Sequence, residues 1–254
     1  MSSRPEQPGG DESRAAVVAD AAGAVHGSGR RWAWIVLLGV TLLGLGLDLA
    51  TKYWSFETIA DRPVIVDRQE VLRLAREVSP GAIALLIPSH EPVTVVPGLL
   101  DFTLVLNPGA VFGIGPGKRW FFMTFTVVAL GGGVLLFLRA TGPRDFGAHA
   151  SVGLLLAGGL GNLYDRLFYG CVRDFIHPLP GVKFPFGWRP FGGSGEVWPY
   201  VSNVADLLLI IGIVYLVVYL WRSDAAAAAA RAQAVQAKAG EAKAGGNGAD
   251  GAGA

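Results

Sequence analysis

Four long apolar runs divide the chain, separated by polar segments of very different lengths. They cover approximately residues 32–50, 120–138, 148–168 and 201–221. Runs of about 20 apolar residues are long enough to cross the roughly 30 Å hydrocarbon core of a membrane as helices. The pattern therefore predicts a mainly α-helical membrane protein with four transmembrane helices.

The long segment 53–118 connects the first span to the second, and segment 169–200 connects the third span to the fourth. Residues 62–78 are charged and predict a short amphipathic helix, because four apolar residues recur there at helical spacing: Val71, Leu72, Ala75 and Val78. Residues 93–106 are rich in β-branched side chains and contain Pro97 and Gly98, which predicts a strand or hairpin. We expect a small β-rich subdomain in 53–118 and a second loop, rich in Gly, Pro and aromatic residues, in 169–200.

The two ends of the chain have a different composition from the four-span region, 31–222. Residues 1–30 are rich in Gly, Ala, Ser and charge without an apolar period, which predicts a disordered tail. This tail lacks a short apolar stretch followed by a small-residue cleavage site, so we do not expect a cleaved signal peptide. Residues 223–254 form a second tail of low complexity, rich in Ala, Gly and Lys, whose alanine run favours helix.

Composition narrows the class of protein. Hydrophobic residues make up 52% of the chain and charged residues only 16%, where a soluble domain carries about 25%. The net charge is +1 and basic residues do not cluster with aromatics, so no nucleic-acid partner is expected. The single cysteine, Cys171, excludes an internal disulfide and is expected to be a packed residue rather than a nucleophile. The four histidines are dispersed and predict no metal site.

Basic residues flanking the spans predict the topology. Arg30 and Arg31 precede the first span, and Arg139 and Arg144 lie in the short second connection. Such residues stay on the cytoplasmic side, so both termini are expected inside and both large loops outside. Polar residues from three spans and two loops then fall at the outer face: Asp48, Lys52, Asn107, Asn162, Asp165, Arg166, Asp174, Asn203 and Asp206. Charged groups at membrane depth are costly, so these residues are functional candidates.

Simpler structural roles remain open for some of these residues. Asp48 and Lys52 are four apart, which also fits an interfacial ion pair with Lys52 extended towards lipid head groups. Asp165 and Arg166 fit an ion pair that neutralises charge where the third span ends.

Small residues recur along one face of the third span. Gly153, Ala157 and Gly161 are four apart, and Gly158 and Gly159 widen the same face. Such a pattern lets membrane helices approach closely.

Two carboxylates, Asp174 and Asp206, are the remaining candidates for catalytic residues. The chain has no Gly-x-Ser-x-Gly motif and no phosphate-binding Gly-rich loop followed by Lys. Two close carboxylates share a proton, so one accepts a proton from water while the other protonates a carbonyl oxygen, as in aspartic peptide hydrolysis. A small proton-coupled transporter or channel subunit is the alternative, and it predicts carboxylates spread through the bilayer depth.

The ordered motifs resemble those of signal peptidase II, the bacterial lipoprotein signal peptidase. They are Asp48-x-x-x-Lys52, Asn107-x-Gly109-x-x-Phe112, Gly158-Gly-Leu-Gly-Asn162-Leu-Tyr-Asp165-Arg166 with Gly170-x-Val172-x-Asp174-Phe175, and Asn203-Val-Ala-Asp206. Residues 61–92 and much of 177–197 depart from the resemblance as insertions, which leaves substrate preference open.

The resemblance implies an aspartic endopeptidase with Asp174 and Asp206 as the catalytic pair and Asp165 as a structural residue. It implies a four-span protein of the bacterial inner membrane that acts at the outer face, uses no metal or other cofactor and is inhibited by globomycin. The implied substrate is a diacylglyceryl-modified prolipoprotein, cut just before the lipidated cysteine, and we expect a monomer among membrane lipids. Substrate-binding or pair-supporting roles are implied for Asp48, Lys52, Asn107, Gly109, Gly158, Asn162, Arg166 and Asn203.

Overall fold

The computed structural model describes residues 10–109, 119–189 and 195–246, so Phe112 of the second motif lies outside the described residues. Two short 3-10 helices cover Pro80–Leu86 and Pro185–Gly187. The other elements, in chain order, are α1 Gly10–Thr58, α2 Arg68–Glu77, β1 Val93–Val96, β2 Leu100–Asn107, α3 Arg119–Ala140, α4 Phe146–Phe168, β3 Val172–Pro178 and α5 Val204–Gly246.

Four of these helices are long and apolar enough to cross a membrane, which confirms the predicted four-span architecture. The apolar segments are Arg30–Thr58 in α1, α3 from Trp120, all of α4, and Val204–Gln233 in α5. Helix α4 has the lowest mean hydropathy, 1.2, and the most buried apolar segment, 56%. It packs against α1, α3 and α5, so it contacts protein where the other helices offer apolar side chains to lipid.

The small-residue face of α4 is what lets its neighbours come close, as predicted. A Cβ atom added at Gly153 would lie 2.9 Å from the Leu37 carbonyl oxygen of α1. One added at Gly158 would collide with the Ala205 carbonyl oxygen of α5. Glycine is therefore required where α4 meets α1 and α5, because a larger residue would separate the backbones.

A three-stranded antiparallel sheet in the order β1-β2-β3 lies next to the ends of the spans. The predicted hairpin is confirmed as β1 and β2. The 169–200 loop also contains a strand that was not predicted, because β3 pairs with β2 and sets Asp174 opposite Val105. The strand was missed because buried Arg173 and Asp174 obscure its apolar pattern.

A hydrophobic core around the end of α1 joins this helix to the sheet. Phe56 of α1, Val71 of α2, Ile83 and Phe175 all contribute to it. Asp67 accepts a hydrogen bond of 2.8 Å from the backbone N–H of Glu70 and thereby caps α2, whose apolar face covers this core. The predicted amphipathic helix is confirmed, but it is shorter than the expected 62–78.

The terminal segments contain more helix than their composition suggested. The expectation that residues 1–30 are disordered was wrong for 10–30, since α1 begins at Gly10. This stretch is rich in alanine, the strongest helix former, and it continues a helix that the membrane span has already nucleated. Helix α5 likewise continues through the alanine run to Gly246.

Candidate active site

The polar residues predicted at the ends of the spans come together in one hydrogen-bonded cluster. It contains a carboxylate pair with three amide side chains around it, and a buried lysine with two further carboxylates behind them. Helix α1 contributes Asp48 and Lys52, α4 contributes Asn162 and Asp165, and α5 contributes Asp206, with Asn203 directly before it. Strand β2 contributes Asn107 and β3 contributes Asp174.

Asp174 is held on β3 by two amides and is only 2% exposed. Its Oδ1 accepts a 2.6 Å hydrogen bond from Asn203 Nδ2, and its Oδ2 accepts one of 3.2 Å from Asn107 Nδ2. Burial is the largest cause that raises the pKa of Asp174 well above its usual range, and the charge of Asp206 raises it further. The two amide hydrogen bonds oppose this rise. The raised pKa therefore favours retention of a proton in this carboxylate pair.

Asp206 is oriented by the cap at the start of α5. The backbone N–H of Asn203 donates to Asp206 Oδ2 at 3.2 Å, and the backbone N–H of Asp206 donates to Asn203 Oδ1 at 3.1 Å. This reciprocal pair is a capping box with asparagine as its first residue. The expectation that both residues lie on one helical face needs correction, since Asn203 precedes α5 and caps it. Asn162 Nδ2 donates to Asp206 Oδ1 at 2.8 Å and fixes the carboxylate from α4.

The chain that enters α5 runs beside β3, which brings the two carboxylates together. The backbone N–H groups of Phe175 and Ile176 donate to the Ser202 carbonyl at 2.9 and 2.8 Å, and the Ser202 N–H donates back to Ile176 at 2.8 Å. Asn203 follows directly and is fully buried, so its amide reaches Asp174 on the neighbouring strand. The sheet thus sets the position of Asp174 relative to the cap that holds Asp206.

Lys52 lies behind the amides and is completely buried. Its Nζ lies 2.9 Å from Asp48 Oδ2 and 3.3 Å from Asp165 Oδ2, and it donates to Asn162 Oδ1 at 3.0 Å. The ion pair with Asp48 exists, but the expectation that Lys52 extends towards lipid head groups was wrong. Because Lys52 and Asn203 both donate to Asn162 Oδ1, the Asn162 amide is held with its NH2 group towards Asp206.

Asp165 pairs with Arg173 rather than with its neighbour Arg166, so the predicted ion pair was assigned to the wrong arginine. Asp165 Oδ1 accepts from Arg173 Nη2 at 2.8 Å and from Nε at 3.2 Å, and its Oδ2 accepts from the Arg173 backbone N–H at 3.0 Å. Adjacent side chains on a helix do not face each other. The turn at Gly170, with φ of +80°, leads the chain back so that Arg173 returns to the end of α4.

Arg166, Gly109 and Gly158 occupy the margin of the cluster. Arg166 Nη1 donates to the Asn162 carbonyl at 3.2 Å, and its guanidinium lies 5.7 Å from the centre of the Phe122 ring. The Gly109 N–H donates to Asn107 Oδ1 at 3.0 Å, and its φ of +105° favours glycine there. Gly158, as described above, sets the distance between α4 and α5.

Three features of the cluster were not predicted as parts of it: Arg173, the backbone N–H of Ala205, and the contact of Gly161 with Asp48. The Ala205 N–H donates to Asp48 Oδ1 at 2.8 Å, and any side chain at Gly161 would collide with the Asp48 carboxylate. The fourfold spacing of small residues did point to Gly161, but the backbone contact of Ala205 leaves no signal in side-chain chemistry.

Cys171 is a packed residue, as expected. It is 1% exposed in the core at the end of α1, where burial raises the pKa of its thiol to about 12. A thiol with such a pKa supplies almost no thiolate near neutral pH. Within the described residues, no group of three or more His, Cys, Asp or Glu side chains is arranged to hold a metal ion.

The fold and the cluster together define a multi-pass membrane protein with a buried carboxylate pair at one end of its helices. The chain belongs to the signal peptidase (SPase) II family, whose profile matches residues 40–222. This confirms the family expected from the motifs, with its aspartic endopeptidase class, and a transporter or channel subunit is not favoured.

Named relatives and one solved structure agree with the assignment. The chain is 33% identical over 135 residues to a lipoprotein signal peptidase of Desulfitobacterium hafniense. The alignment covers 53% of this chain and 77% of the relative. It is also 33% identical over 178 residues to a lipoprotein signal peptidase of Bifidobacterium longum subsp. infantis, and this alignment covers 67% of this chain and 80% of the relative. A solved structure of a bacterial membrane enzyme is 25% identical, with a TM-score of 0.50, over 74% of this chain and 88% of that one.

Proposed function

We propose that the protein removes signal peptides from diacylglyceryl-modified prolipoproteins, cutting just before the lipidated cysteine, with Asp174 and Asp206 as the catalytic pair. The family and the relatives named lipoprotein signal peptidase support the reaction. One observation supports the assignment of the pair above all. Asn203 hydrogen-bonds to both carboxyl groups, and the charge of Asp206 acts on a buried Asp174 whose pKa is raised.

The chemistry follows from a pair that holds one proton. The ionised carboxylate takes a proton from a water molecule as its oxygen attacks the scissile carbonyl carbon, while the protonated carboxyl group gives its proton to the carbonyl oxygen. The tetrahedral diol intermediate then breaks at its C–N bond. The pair gives a proton to the departing amine and takes one back from a hydroxyl group of the intermediate, so a carboxylic acid, an amine and a singly protonated pair result. We assign the proton to the pair and not to one residue, because closely coupled carboxyl groups titrate together.

The other cluster residues act by holding the pair in place. Asn107 and Asn203 keep the Asp174 oxygens oriented, and Asn162 does the same for Asp206. Lys52 acts one step further away, through the Asn162 amide. We assign Arg166 and Gly109 to the substrate-facing margin and Asp165 to structural support, because its hydrogen bonds and ion pairs go to Arg173 and Lys52.

We further propose that the protein works as a monomer in the bacterial inner membrane, with both termini in the cytoplasm and the pair at the outer face. Arginines flank the opposite ends of the spans at Arg30, Arg31, Arg139 and Arg144, which supports this orientation. A pair at the ends of the helices lets the acyl chains of the substrate remain in the bilayer while its peptide bond reaches the carboxyl groups.

The test is cleavage of a diacylglyceryl precursor peptide by the full-length protein in detergent. Asp174→Asn and Asp206→Asn should each reduce turnover by at least about a hundredfold, because an amide accepts no proton from water. Asp61→Asn, at an exposed position in the first loop, is the matched control and should retain the wild-type rate. Globomycin binding and thermal melting report whether each variant is folded. Near wild-type cleavage by a folded Asp174→Asn or Asp206→Asn protein would refute the two-aspartate mechanism.

A further inference from the structure

An open pocket of about 520 Å³ lies between α5 and the start of α4, at the ends of the spans remote from the carboxylate pair. It is lined by Asp145, directly before α4, and by Tyr215, Val218, Tyr219, Arg222 and Ser223 of α5. Arg222 lies about 24 Å further along α5 than Asp206, at a rise of about 1.5 Å per residue. The pocket therefore lies near the second boundary of a hydrocarbon core that is roughly 30 Å thick.

The pocket contains one carboxylate and one guanidinium group. Asp145 Oδ2 accepts a hydrogen bond of 2.6 Å from the Tyr219 hydroxyl group and one of 2.7 Å from the Gly142 backbone N–H, so the carboxylate is held in place. Its Oδ1 has no hydrogen-bond partner among the residues that the structure describes. Arg222 is exposed and, within the same described part of the chain, makes no hydrogen bond or ion pair. Both charged groups are therefore available to a ligand.

An exposed aliphatic stripe leads from this pocket towards the middle of the membrane. Ile211, Val214 and Val218 recur at helical spacing on the face of α5 that ends at Arg222 and Ser223. All three aliphatic side chains are exposed, so lipid covers them in a membrane. A ligand that covers both the stripe and the pocket has an aliphatic part and a charged end, as a phospholipid does. A soluble metabolite would leave the stripe uncovered.

The two charges determine which head group fits. A phosphate group accepts charge-assisted hydrogen bonds from a guanidinium group, and an ammonium group donates them to a carboxylate. Phosphoethanolamine carries both a phosphate and an ammonium group. The cation of phosphocholine has no N–H to donate, and phosphoglycerol has no cation at all. Asp145 and Arg222 together therefore favour phosphoethanolamine over both other head groups.

We propose that the pocket between α4 and α5 binds a phospholipid with a phosphoethanolamine head group. Arg222 and the Ser223 hydroxyl group bind its phosphate, Asp145 binds its ammonium group, and one acyl chain lies along the aliphatic stripe. The bound lipid joins the start of α4 to α5 at the ends of the helices where Gly158 does not already hold them together. The site does not include the carboxylate pair, so the proposal goes beyond the proposed function and does not depend on it.

The experiment measures lipid binding to the full-length protein in detergent by native mass spectrometry. Dioleoyl phosphatidylethanolamine, phosphatidylcholine and phosphatidylglycerol are titrated separately, and wild-type protein should bind the first about tenfold more tightly than the other two. Arg222→Gln should weaken phosphatidylethanolamine binding about tenfold, because it removes the charged donor to the phosphate. Arg144→Gln removes the same charge at an exposed residue outside the pocket and should bind like wild type. Asp145→Asn should bind phosphatidylethanolamine and phosphatidylcholine equally, because its amide carries no charge.

Several results would overturn this lipid site. Equal binding of the three lipids by wild-type protein would do so, as would tighter binding of phosphatidylglycerol, which would indicate attraction to anionic lipid alone. Equal affinities of Arg222→Gln and Arg144→Gln for phosphatidylethanolamine, or an Asp145→Asn protein that keeps the wild-type preference, would also contradict it. Displacement of the lipid by an equal concentration of inorganic phosphate would show a phosphate site instead. If Asp145→Asn fails to fold in thermal melting, the two arginine variants and the wild-type preference still decide.

Discussion

Replacing Asp165 with asparagine removes one charge from the most buried part of the cluster without changing its shape. Asp165 is fully buried and accepts three hydrogen bonds from Arg173, and Lys52 lies 3.3 Å from its Oδ2. In Asp165→Asn, two buried cations lose the carboxylate between them. Lys52 keeps Asp48 at 2.9 Å, so Arg173 is the cation left with the larger deficit.

The size of the effect follows from this burial. Removing one partner of a buried ion pair costs about 3–5 kcal/mol of unfolding free energy, because the remaining charge stays desolvated. A change of 1 kcal/mol shifts the Tm of a protein of this length by about 2–4 °C, so we expect a loss of about 6–20 °C. Cleavage should persist well below the new Tm, since Asp174 and Asp206 keep their amide partners.

The assay is thermal melting in detergent, combined with cleavage of a lipidated precursor at low temperature. Arg173→Gln and the double variant Asp165→Asn/Arg173→Gln complete a double-mutant cycle. The double variant should lose less stability than the two single variants added together, with a coupling of about 0.5–3 kcal/mol. Glu77→Gln, at an exposed residue of α2, is the control for loss of an unburied ion pair and should melt within a few degrees of wild type.

Two results would refute this reasoning. A normal Tm with complete loss of cleavage would move Asp165 from structural support into the catalytic set. Additive effects in the cycle would show that the Asp165–Arg173 pair contributes no coupling, whatever its distances.

Four further predictions address the pair, the topology and the helix packing. Because the pKa of Asp174 is raised, its contribution to the free energy of unfolding is complete below about pH 4 and is lost as the pH rises through its folded-state pKa. Thermal melting of the wild type and of Asp174→Asn over a pH series tests this. A parallel pH dependence of the Tm in the two proteins would contradict it. The rate of cleavage should fall on both the acid and the alkaline side of its optimum, because the reaction needs a pair that holds one proton. A rate that stays constant on either side would exclude a shared proton. A reporter fused after Arg222 should be cytoplasmic and one inserted within 177–197 external, whereas an external C-terminal signal would overturn the topology. Gly158→Ala should lower the Tm, because the added methyl group collides with the Ala205 carbonyl oxygen. Gly131→Ala is the control and should not lower the Tm, because there is open space around Gly131. Equal Tm values for the two variants would contradict the packing argument.

The parts of the fold that the sequence predicted are those governed by hydrophobic period and by turns. The four spans, the amphipathic helix and the hairpin each leave a local pattern, and the structure contains all of them. Strand β3 leaves no such pattern because Arg173 and Asp174 are buried through contacts that are distant in sequence. Local patterning therefore identified the helices of the scaffold but not the strand that carries half of the pair.

In the site, residue types were predictable and partners were not. Buried polar groups at the ends of apolar runs identified Lys52 and Asp165 as candidates, because such groups need compensation. Their partners depend on which helices meet and on how the chain turns after α4. The sequence suggested Arg166 for Asp165 because the two are adjacent, but Asp165 pairs with Arg173 and Lys52. For Lys52 it suggested Asp48 and lipid head groups; the ion pair with Asp48 is present, but Lys52 is buried among protein groups instead of reaching lipid.

The hydrogen bond from the Ala205 N–H to Asp48 also has a consequence for biosynthesis. A carboxylate near the end of the first membrane helix caps the beginning of the last one, so the two ends of the membrane domain are fastened to each other. During synthesis α1 enters the membrane first and α5 last, and Asp206 itself belongs to α5. A partly made chain therefore lacks both this fastening and one member of the proposed pair, and proteolytic competence arises only when the last helix has been inserted. The order of the chain thus keeps an unfinished enzyme inactive until α5 is in place.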